Sequence, residues 1–211
     1  MKVALIAGGE PSSLQDLYDL YVGIDRGCLF LLQNGLPLDF AVGDFDSVSA
    51  TDFAQIQANA KQLIQAPCEK DDTDTELALK TVFAHYPQAQ VTIYGAFGGR
   101  VDHLLSNIFL PSEPALAPFM QQICLRDEQN HLSYAPAGCH QIQPILGMKY
   151  VSFMSDGDAD LTISGAKYNL NRQNFFKKKI YSSNEFIGNP IEVRADAGYV
   201  VIIQTKDREP K

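Results

Sequence analysis

The sequence predicts two domains, an N-terminal α/β domain with a parallel sheet and a smaller antiparallel β-sandwich. Over the first half of the chain, short apolar strands alternate with helical patterns, which is typical of a parallel sheet covered on both faces. The helical signal fades after residue 114, and short strands separated by polar turns follow from about residue 142. We therefore expect a Rossmann-like domain over residues 1–138 and a β-sandwich over residues 139–211.

In the first domain, each predicted strand is a short apolar run that ends at a glycine-rich or polar turn. These strands cover residues 3–7, 22–24, 40–42, 63–64 and 91–94. Helices are expected between and after them because apolar residues recur there every three or four positions. The predicted helices cover residues 11–21, 28–33, 51–61, 75–86 and 101–110, the first on the spacing of Leu14, Leu17, Tyr18 and Tyr21.

In the second domain, apolar and polar residues alternate over short runs, as in half-buried strands. The predicted strands cover residues 150–154, 160–163, 191–194 and 199–204. Turns are expected at residues 156–158, 164–165 and 197–198, and residues 182–186 are expected to form a loop.

The charge of the protein is concentrated in one stretch. The 211 residues carry a net charge of -8, and residues 39–76, with nine acidic and two basic side chains, account for -7 of it. An acidic balance argues against nucleic acid or an anionic membrane surface as a partner. Neither a targeting segment nor a membrane span is visible, and the four cysteines are widely spaced, so we expect a cytoplasmic protein with reduced thiols and no zinc site.

Two acidic turns are candidates for a metal site. Asp44 and Asp46 follow the third strand, where two carboxylates can reach one hard cation, although Asp46 or Ser47 could instead cap a helix. The second turn, residues 70–76, contains a capping box, Thr73-x-x-Glu76. Capping does not account for all the acidic residues beside Lys70, because carboxylates at one helix end repel each other unless a cation neutralises them.

A glycine-rich turn after the last strand of the first domain is a candidate anion site. Backbone amides of such a turn and the N-terminus of the following helix bind anions, and Arg100 adds further donors. The alternative is a plain turn in which Asp102 caps the helix. Neither the P-loop nor the dinucleotide fingerprint is present.

Taken together in their order along the chain, six motifs resemble those of bacterial thiamine pyrophosphokinases. The motifs are Asp25-x-Gly27, Gly43-Asp44-Phe45-Asp46-Ser47, Lys70-Asp71-Asp72-Thr73-Asp74-x-Glu76, Gly98-Gly99-Arg100-x-Asp102-His103 with Asn107, Gly165-x-Lys167-Tyr168 and Ser183-Asn184-Glu185-Phe186. The resemblance implies an α/β domain for ATP and a β-sandwich for thiamine. It also implies a homodimer with active sites between subunits, and transfer of the terminal diphosphate of ATP to the thiamine hydroxyl.

The resemblance also implies roles for single residues. Mg²⁺ is expected on Asp44, Asp46, Asp72 and Asp74, with Asp25 in the same acidic site. Catalytic roles fall on Asp46, Asp74, Arg100 and Asp102. Thiamine is expected on Tyr168, Ser183, Asn184 and Phe186. ATP is expected on Asp25, Arg26, Gly27, Ser47, Lys70, Asp71, Thr73, Gly98, Gly99, Arg100, His103 and Asn107.

One motif departs from the family pattern, since Arg26 stands where the family usually has glycine. Arg26 either adds a phosphate contact or narrows the turn. Three other functions share the same features: a diphosphokinase acting on a pterin alcohol, a metal-dependent nucleotide-sugar glycosyltransferase, and a non-catalytic nucleotide-binding module.

Overall fold

The computed structural model describes residues 1–9, 11, 13–67, 71–156, 160–176 and 180–208. The chain forms two compact units, Met1–Glu128 and Gln129–Lys211. The predicted boundary at residues 138 and 139 falls within a strand of the second unit, because Asn130–Ile142 pairs with one partner strand over almost its whole length. An α/β unit followed by an antiparallel β unit confirms the predicted fold class.

In its described residues, the first unit contains six parallel strands and four α-helices. The strands are β1 (Lys2–Ile6), β2 (Leu20–Ile24), β3 (Phe40–Gly43), β4 (Gln62–Gln65), β5 (Gln90–Tyr94) and β6 (Ile123–Arg126). The helices are α1 (Gly27–Gln33), α2 (Ala50–Asn59), α3 (Asp74–His85) and α4 (Val101–Ile108), and two 3₁₀ turns, Leu110–Ser112 and Ala117–Gln122, follow α4.

The strand order is β4-β3-β2-β1-β5-β6, and every neighbouring pair in this order is parallel. β1 lies in the middle, and residues 3–6 of it are fully buried, so both faces of the sheet are covered. Ala4 and Ile6 share a core with Leu31 of α1 and Ile56 of α2, while α3 packs against β2 and β3. The strand order reverses between β1 and β5, which is where ligands bind in open α/β sheets.

The predicted helix over residues 11–21 was wrong. Residues 13–19 contain no helix, and Tyr21 lies in β2. Backbone amides that would bond within a helix donate here to side-chain hydroxyls. Gln15 N–H donates to Tyr94 Oη (3.2 Å) and Tyr18 N–H donates to Tyr21 Oη (3.3 Å). The Tyr18 and Tyr94 hydroxyls are themselves 2.8 Å apart, so tertiary contacts fix this segment.

The part of the second unit that the structure describes contains five antiparallel strands: β7 (Asn130–Ile142), β8 (Tyr150–Ser155), β9 (Leu161–Ser164), β10 (Tyr181–Asn184) and β11 (Ile191–Thr205). β11 replaces two predicted strands, and its pairing with β7 is irregular between Ala195 and Tyr199. The first half of β11 pairs with β9 and the second half with β8. Side chains of both halves, such as Val193 and Ile202, meet in one core, which is the packing of a sandwich.

Within the described ranges, none of the helices is both long enough and apolar enough to cross a lipid bilayer. The cysteines that the structure describes, Cys28, Cys124 and Cys139, are free thiols.

Candidate active site

A cavity of about 700 Å³ opens at the carboxyl ends of the strands in the first unit. Its walls are the turns after β1, β2, β3 and β5, together with the first turn of α3 and one side of α4. Segments that are far apart in the sequence therefore meet at the edge where they were expected to converge. The predicted site residues that line this cavity are Asp25, Arg26, Asp44, Asp46, Ser47, Thr73, Asp74, Gly98, Gly99, Arg100, Asp102, His103 and Asn107.

Three half-buried carboxylates form the acidic centre of the cavity. Asp25, Asp44 and Asp74 each offer an oxygen, and these oxygens all lie within 4.8 Å of one another. Hard divalent cations such as Mg²⁺ are bound by carboxylate oxygens, so this group fits such a cation. Asp46 lines the cavity at an exposed position but is not one of the three.

The backbone is shaped to bring these carboxylates together. Asp25 and Phe45 have left-handed φ angles of 45° and 60°, which cost non-glycine residues about 1–3 kcal/mol each and are common at functional sites. The Phe45 N–H donates to Asp25 Oδ1 (3.1 Å), so the turn after β3 holds the side chain that follows β2. A Cβ on Gly43 would lie 2.0 Å from the same oxygen, so only glycine leaves room for Asp25.

The crowding of these acids changes the acidity of Asp25. Burial raises the pKa of Asp25 to about 6, and the charges of Asp74, Asp44 and Asp46 add to the effect, whereas the Phe45 amide opposes it. Without a cation, the cluster therefore binds a proton more readily than a free aspartate does. A cation would replace that proton, because opposite charge favours the ionised carboxylate.

The second acidic turn contributes residues both to the cavity and to the cap that starts α3. Thr73 forms the predicted capping box at the start of α3: its N–H donates to Glu76 Oε2 (2.7 Å), and its Oγ1 accepts from the Glu76 N–H (3.2 Å). This cap fixes the helix end that presents Asp74 to the cavity.

Asp72 does not belong to the carboxylate group, although we expected it to bind the metal. Lys80 donates to its Oδ1 at 2.8 Å, and Lys80 also lies 3.4 Å from Glu113, so a cation of the protein already neutralises this acid. Asp71 is exposed and is not among the residues that line the cavity. Lys70, the expected phosphate contact, lies outside the described residues.

Arg100 and Asp102 form an exposed ion pair at the start of α4. Arg100 Nε lies 3.1 Å from Asp102 Oδ1 and Nη2 lies 2.5 Å from Oδ2, which is the bidentate geometry of a strong pair. The guanidinium and the His103 amide lower the pKa of Asp102 to about 2. While this pair persists, Asp102 is a weak base and Arg100 is occupied.

The structure adds residues that the sequence analysis did not assign to the site. Gly9 lines the cavity after β1, and a Cβ there would lie 2.2 Å from the carbonyl oxygen of Gly95. The Gly8-Gly9 pair at the end of the first strand could have indicated this close approach in the sequence. Ser106 also lines the cavity, one helical turn after Asp102 and His103; its i, i+3 and i+4 spacing from them could have revealed it. Asn107, which was predicted, is buried and donates to the Ala96 carbonyl (3.2 Å).

In the second unit, the predicted thiamine residues surround the loop after β9. Asn184 is buried, and its side chain bonds the Tyr168 backbone twice: Nδ2 donates to the carbonyl (2.7 Å) and Oδ1 accepts from the N–H (2.9 Å). Its Oδ1 also accepts from the Glu185 N–H (3.0 Å). Asn184 thus holds the loop that carries Tyr168, instead of presenting its amide to a ligand.

The side chains around Asn184 are more accessible. Tyr168 is 60% exposed, and Lys167 lies over its ring at 5.5 Å while pairing with Glu185 at 2.6 Å. Ser183 is exposed and has a left-handed φ of 60°. Phe186 is half-buried and packs against the core.

Comparison with known proteins identifies the family. Residues 12–119 match the thiamin pyrophosphokinase catalytic domain, and residues 139–200 match the thiamin pyrophosphokinase vitamin B1 binding domain. The chain belongs to the thiamine pyrophosphokinase family. It is 32% identical over 214 residues to the thiamine pyrophosphokinase of Bacillus subtilis strain 168, covering 97% of this chain and 99% of that protein.

Solved thiamine pyrophosphokinase structures agree with this assignment. A family protein from Enterococcus faecalis is 44% identical, with a TM-score of 0.91 over 99% of this chain and 100% of that one. The thiamin pyrophosphokinase of Geobacillus thermodenitrificans is 29% identical, with a TM-score of 0.80 over 99% of each chain. The predicted resemblance is therefore confirmed. The catalytic match falls on the α/β unit and the vitamin B1 match on the β unit.

Proposed function

We propose that this chain transfers the terminal diphosphate of ATP to the hydroxyl of thiamine, giving thiamine diphosphate and AMP. The observation that carries the proposal is the group of three carboxylates, Asp25, Asp44 and Asp74, inside a glycine-lined cavity of a thiamine pyrophosphokinase family member. Diphosphate transfer requires positioning and charge neutralisation more than a covalent nucleophile. The cavity offers acidic, glycine-rich and cationic groups for both.

Mg²⁺ is the proposed metal, held by Asp25, Asp44 and Asp74, with Asp46 at the rim reaching it through water. The donor set fits because all three groups are carboxylates whose mutual repulsion a divalent cation relieves. When bound, Mg²⁺ neutralises negative charge on the phosphate oxygens. Asp72 is left out of the proposed ligands because Lys80 neutralises it.

The phosphates are proposed to lie against Gly98, Gly99 and the N-terminus of α4, whose amides favour anions. Arg100 would then turn from Asp102 to a phosphate oxygen. Asp102, no longer paired, would regain a higher pKa and accept a hydrogen bond from the substrate hydroxyl. Lys70 is proposed as a second phosphate contact.

Thiamine is proposed to contact the exposed face formed by Tyr168 and Ser183, with Phe186 behind it. The exposed Tyr168 ring suits the flat, cationic thiamine, since aromatic faces attract cations. Asn184 is proposed to act by holding Tyr168. We also propose a cytoplasmic homodimer with active sites between subunits, as the family resemblance implies; light scattering in solution measures the subunit number.

The test is to incubate the protein with ATP, Mg²⁺ and thiamine and to measure both products. Equal amounts of AMP and thiamine diphosphate, neither formed without thiamine, support the proposal. A pterin alcohol in place of thiamine tests the second diphosphokinase function, and a nucleotide sugar in place of ATP tests the glycosyltransferase function. ATP binding with no AMP formed under any of these conditions would indicate a non-catalytic module instead.

A further inference from the structure

Lys80 on α3 is shared between two acidic side chains that come from different segments of the first unit. Its Nζ lies 2.8 Å from Asp72 Oδ1 and 3.4 Å from Glu113 Oε1. Asp72 stands just before α3, and Glu113 follows the 3₁₀ turn after α4. The three side chains are between 27% and 34% exposed, so solvent screens their charges only in part. The lysine therefore ties the start of α3 to the segment that follows α4.

The capping of α3 makes Asp72 the partner of Lys80. A lysine on a helix commonly pairs with a glutamate four residues earlier, which here is Glu76. The Glu76 carboxylate instead accepts a hydrogen bond from the Thr73 N–H in the capping box, at 2.7 Å. Because helix side chains point towards the N-terminus, Lys80 reaches back to the residue that precedes the cap. The capping box and the ion pair thus fix the turn before α3 from two sides.

Asp72 has the chemistry and the spacing of a metal ligand. It stands two residues before Asp74, and Asp44 and Asp46 have the same spacing. Two carboxylates separated by one residue can bind the same hard cation. Asp74 nevertheless lies in the carboxylate group, whereas Asp72 does not. What distinguishes Asp72 is the ammonium group of Lys80, which bonds one of its oxygens.

We propose that Lys80 is a positioning residue that withholds Asp72 from the metal. This inference rests on the proposed function and deepens it, because it concerns the number of carboxylates that the cation meets. Mg²⁺ takes an octahedral set of oxygen ligands, so three protein carboxylates leave positions for water and phosphate oxygens. A fourth carboxylate would take one of these positions and add negative charge beside the phosphates. Lys80 prevents this, while its contact with Glu113 helps to hold the lysine in place.

The test measures binding of Mn²⁺ to the full-length protein in the absence of nucleotide and thiamine. Mn²⁺ prefers the same oxygen ligands as Mg²⁺, and electron paramagnetic resonance measures its free concentration. Lys80→Met keeps an unbranched side chain and removes the charge, so Asp72 is released. This variant should bind Mn²⁺ at least about threefold more tightly than the wild type, since affinity for a hard cation depends on the charge of its ligands. Loss of a purely structural contact would weaken binding instead.

A second substitution shows whether the effect passes through Asp72. Asp72→Asn alone should change the Mn²⁺ affinity by less than about twofold, because Lys80 already neutralises this carboxylate. In the Lys80→Met protein, the same substitution should return the affinity to the wild-type value, since the two side chains act as a pair. Lys80→Arg keeps the positive charge and should bind Mn²⁺ as the wild type does.

Lys61 provides a matched control. It pairs with Asp39 at 2.7 Å, and neither of these residues lines the acidic cavity. Lys61→Met removes the same charge without releasing an acid beside the metal, so the Mn²⁺ affinity should not change.

Two results would overturn the proposal. One is a Lys80→Met protein that binds Mn²⁺ no more tightly than the wild type, and the other is tighter binding that persists when Asp72→Asn is added. Both readouts are metal affinities measured without substrates, so either result leaves the proposed function standing. A protein that shows the expected affinities but forms no thiamine diphosphate would contradict the proposed function alone.

Discussion

Replacing Asp25 by Asn should stabilise the cation-free protein while abolishing its response to Mg²⁺. Asn keeps an oxygen that can accept the Phe45 amide hydrogen bond (3.1 Å) but removes one charge from the carboxylate cluster. The perturbation thus separates the electrostatic role of Asp25 from its role in the turn. Asp71→Asn is the matched control, because it removes one acidic charge at an exposed position that does not line the cavity.

The size of the effect follows from the pKa of Asp25. In the folded protein this pKa is about 6, against an ordinary value of 3.8. The unfolded chain therefore loses its proton first, and the stability of the cation-free wild type falls as the pH rises from about 4 to about 6, then levels off. Above that range the ionised Asp25 costs about 3 kcal/mol, at 1.36 kcal/mol per pKa unit. Asn carries no such cost.

The assay is urea unfolding with a chelator present, followed by tyrosine fluorescence and circular dichroism because the chain has no tryptophan. At pH 7, Asp25→Asn should be more stable than the wild type by up to about 3 kcal/mol, and the difference should vanish near pH 4. Adding Mg²⁺ should stabilise the wild type and Asp71→Asn but not Asp25→Asn. An Asp25→Asn protein that is no more stable than the wild type at pH 7 would refute this reasoning.

Three further predictions concern catalysis and substrate binding. Asp74→Asn should lower AMP formation at least about 100-fold, because it removes a carboxylate from the cluster. Circular dichroism should show that the fold is intact. Turnover near that of the wild type would remove Asp74 from the metal site. Arg100→Ala should raise the KM for ATP more than it lowers kcat, and an unchanged KM would argue against a phosphate contact. Asn184→Ala should destabilise the second unit by about 2 kcal/mol, because the Tyr168 backbone loses both of its side-chain partners. The same change should raise the KM for thiamine and leave the KM for ATP unchanged. A rise in the KM for ATP alone would contradict this.

Much of the α/β unit could be predicted because its strands and helices are locally consistent. The helix predicted over residues 75–86 forms as Asp74–His85, since its capping box and apolar spacing agree. The segment around Tyr18 could not be predicted, because its amides bond to phenol groups that only the tertiary fold brings near. Local spacing alone made this segment resemble a helix.

The acidic site shows the same limit. Asp44 and Asp74 were predicted as metal ligands and lie in the carboxylate group. Asp72 was indistinguishable from them in the sequence, and its partner Lys80 lies eight residues later on α3. The family resemblance placed Asp25 in the acidic site but not among the metal ligands. Its close approach to Asp44 and Asp74 depends on a left-handed turn and on the space beside Gly43, which the sequence does not reveal.

The hydroxyl of Tyr94 has a consequence for local opening. It accepts a hydrogen bond from the Gln15 amide and meets the Tyr18 hydroxyl, so the end of β5 fastens the chain segment that follows β1. A segment held by a few side-chain hydrogen bonds opens without unfolding the sheet, unlike the cooperative ladder of β1 and β2. The Gln15 and Tyr18 amides should therefore exchange their hydrogens faster than those of β2. Their exchange rates would report how often the segment around Gln15 and Tyr18 detaches from the sheet.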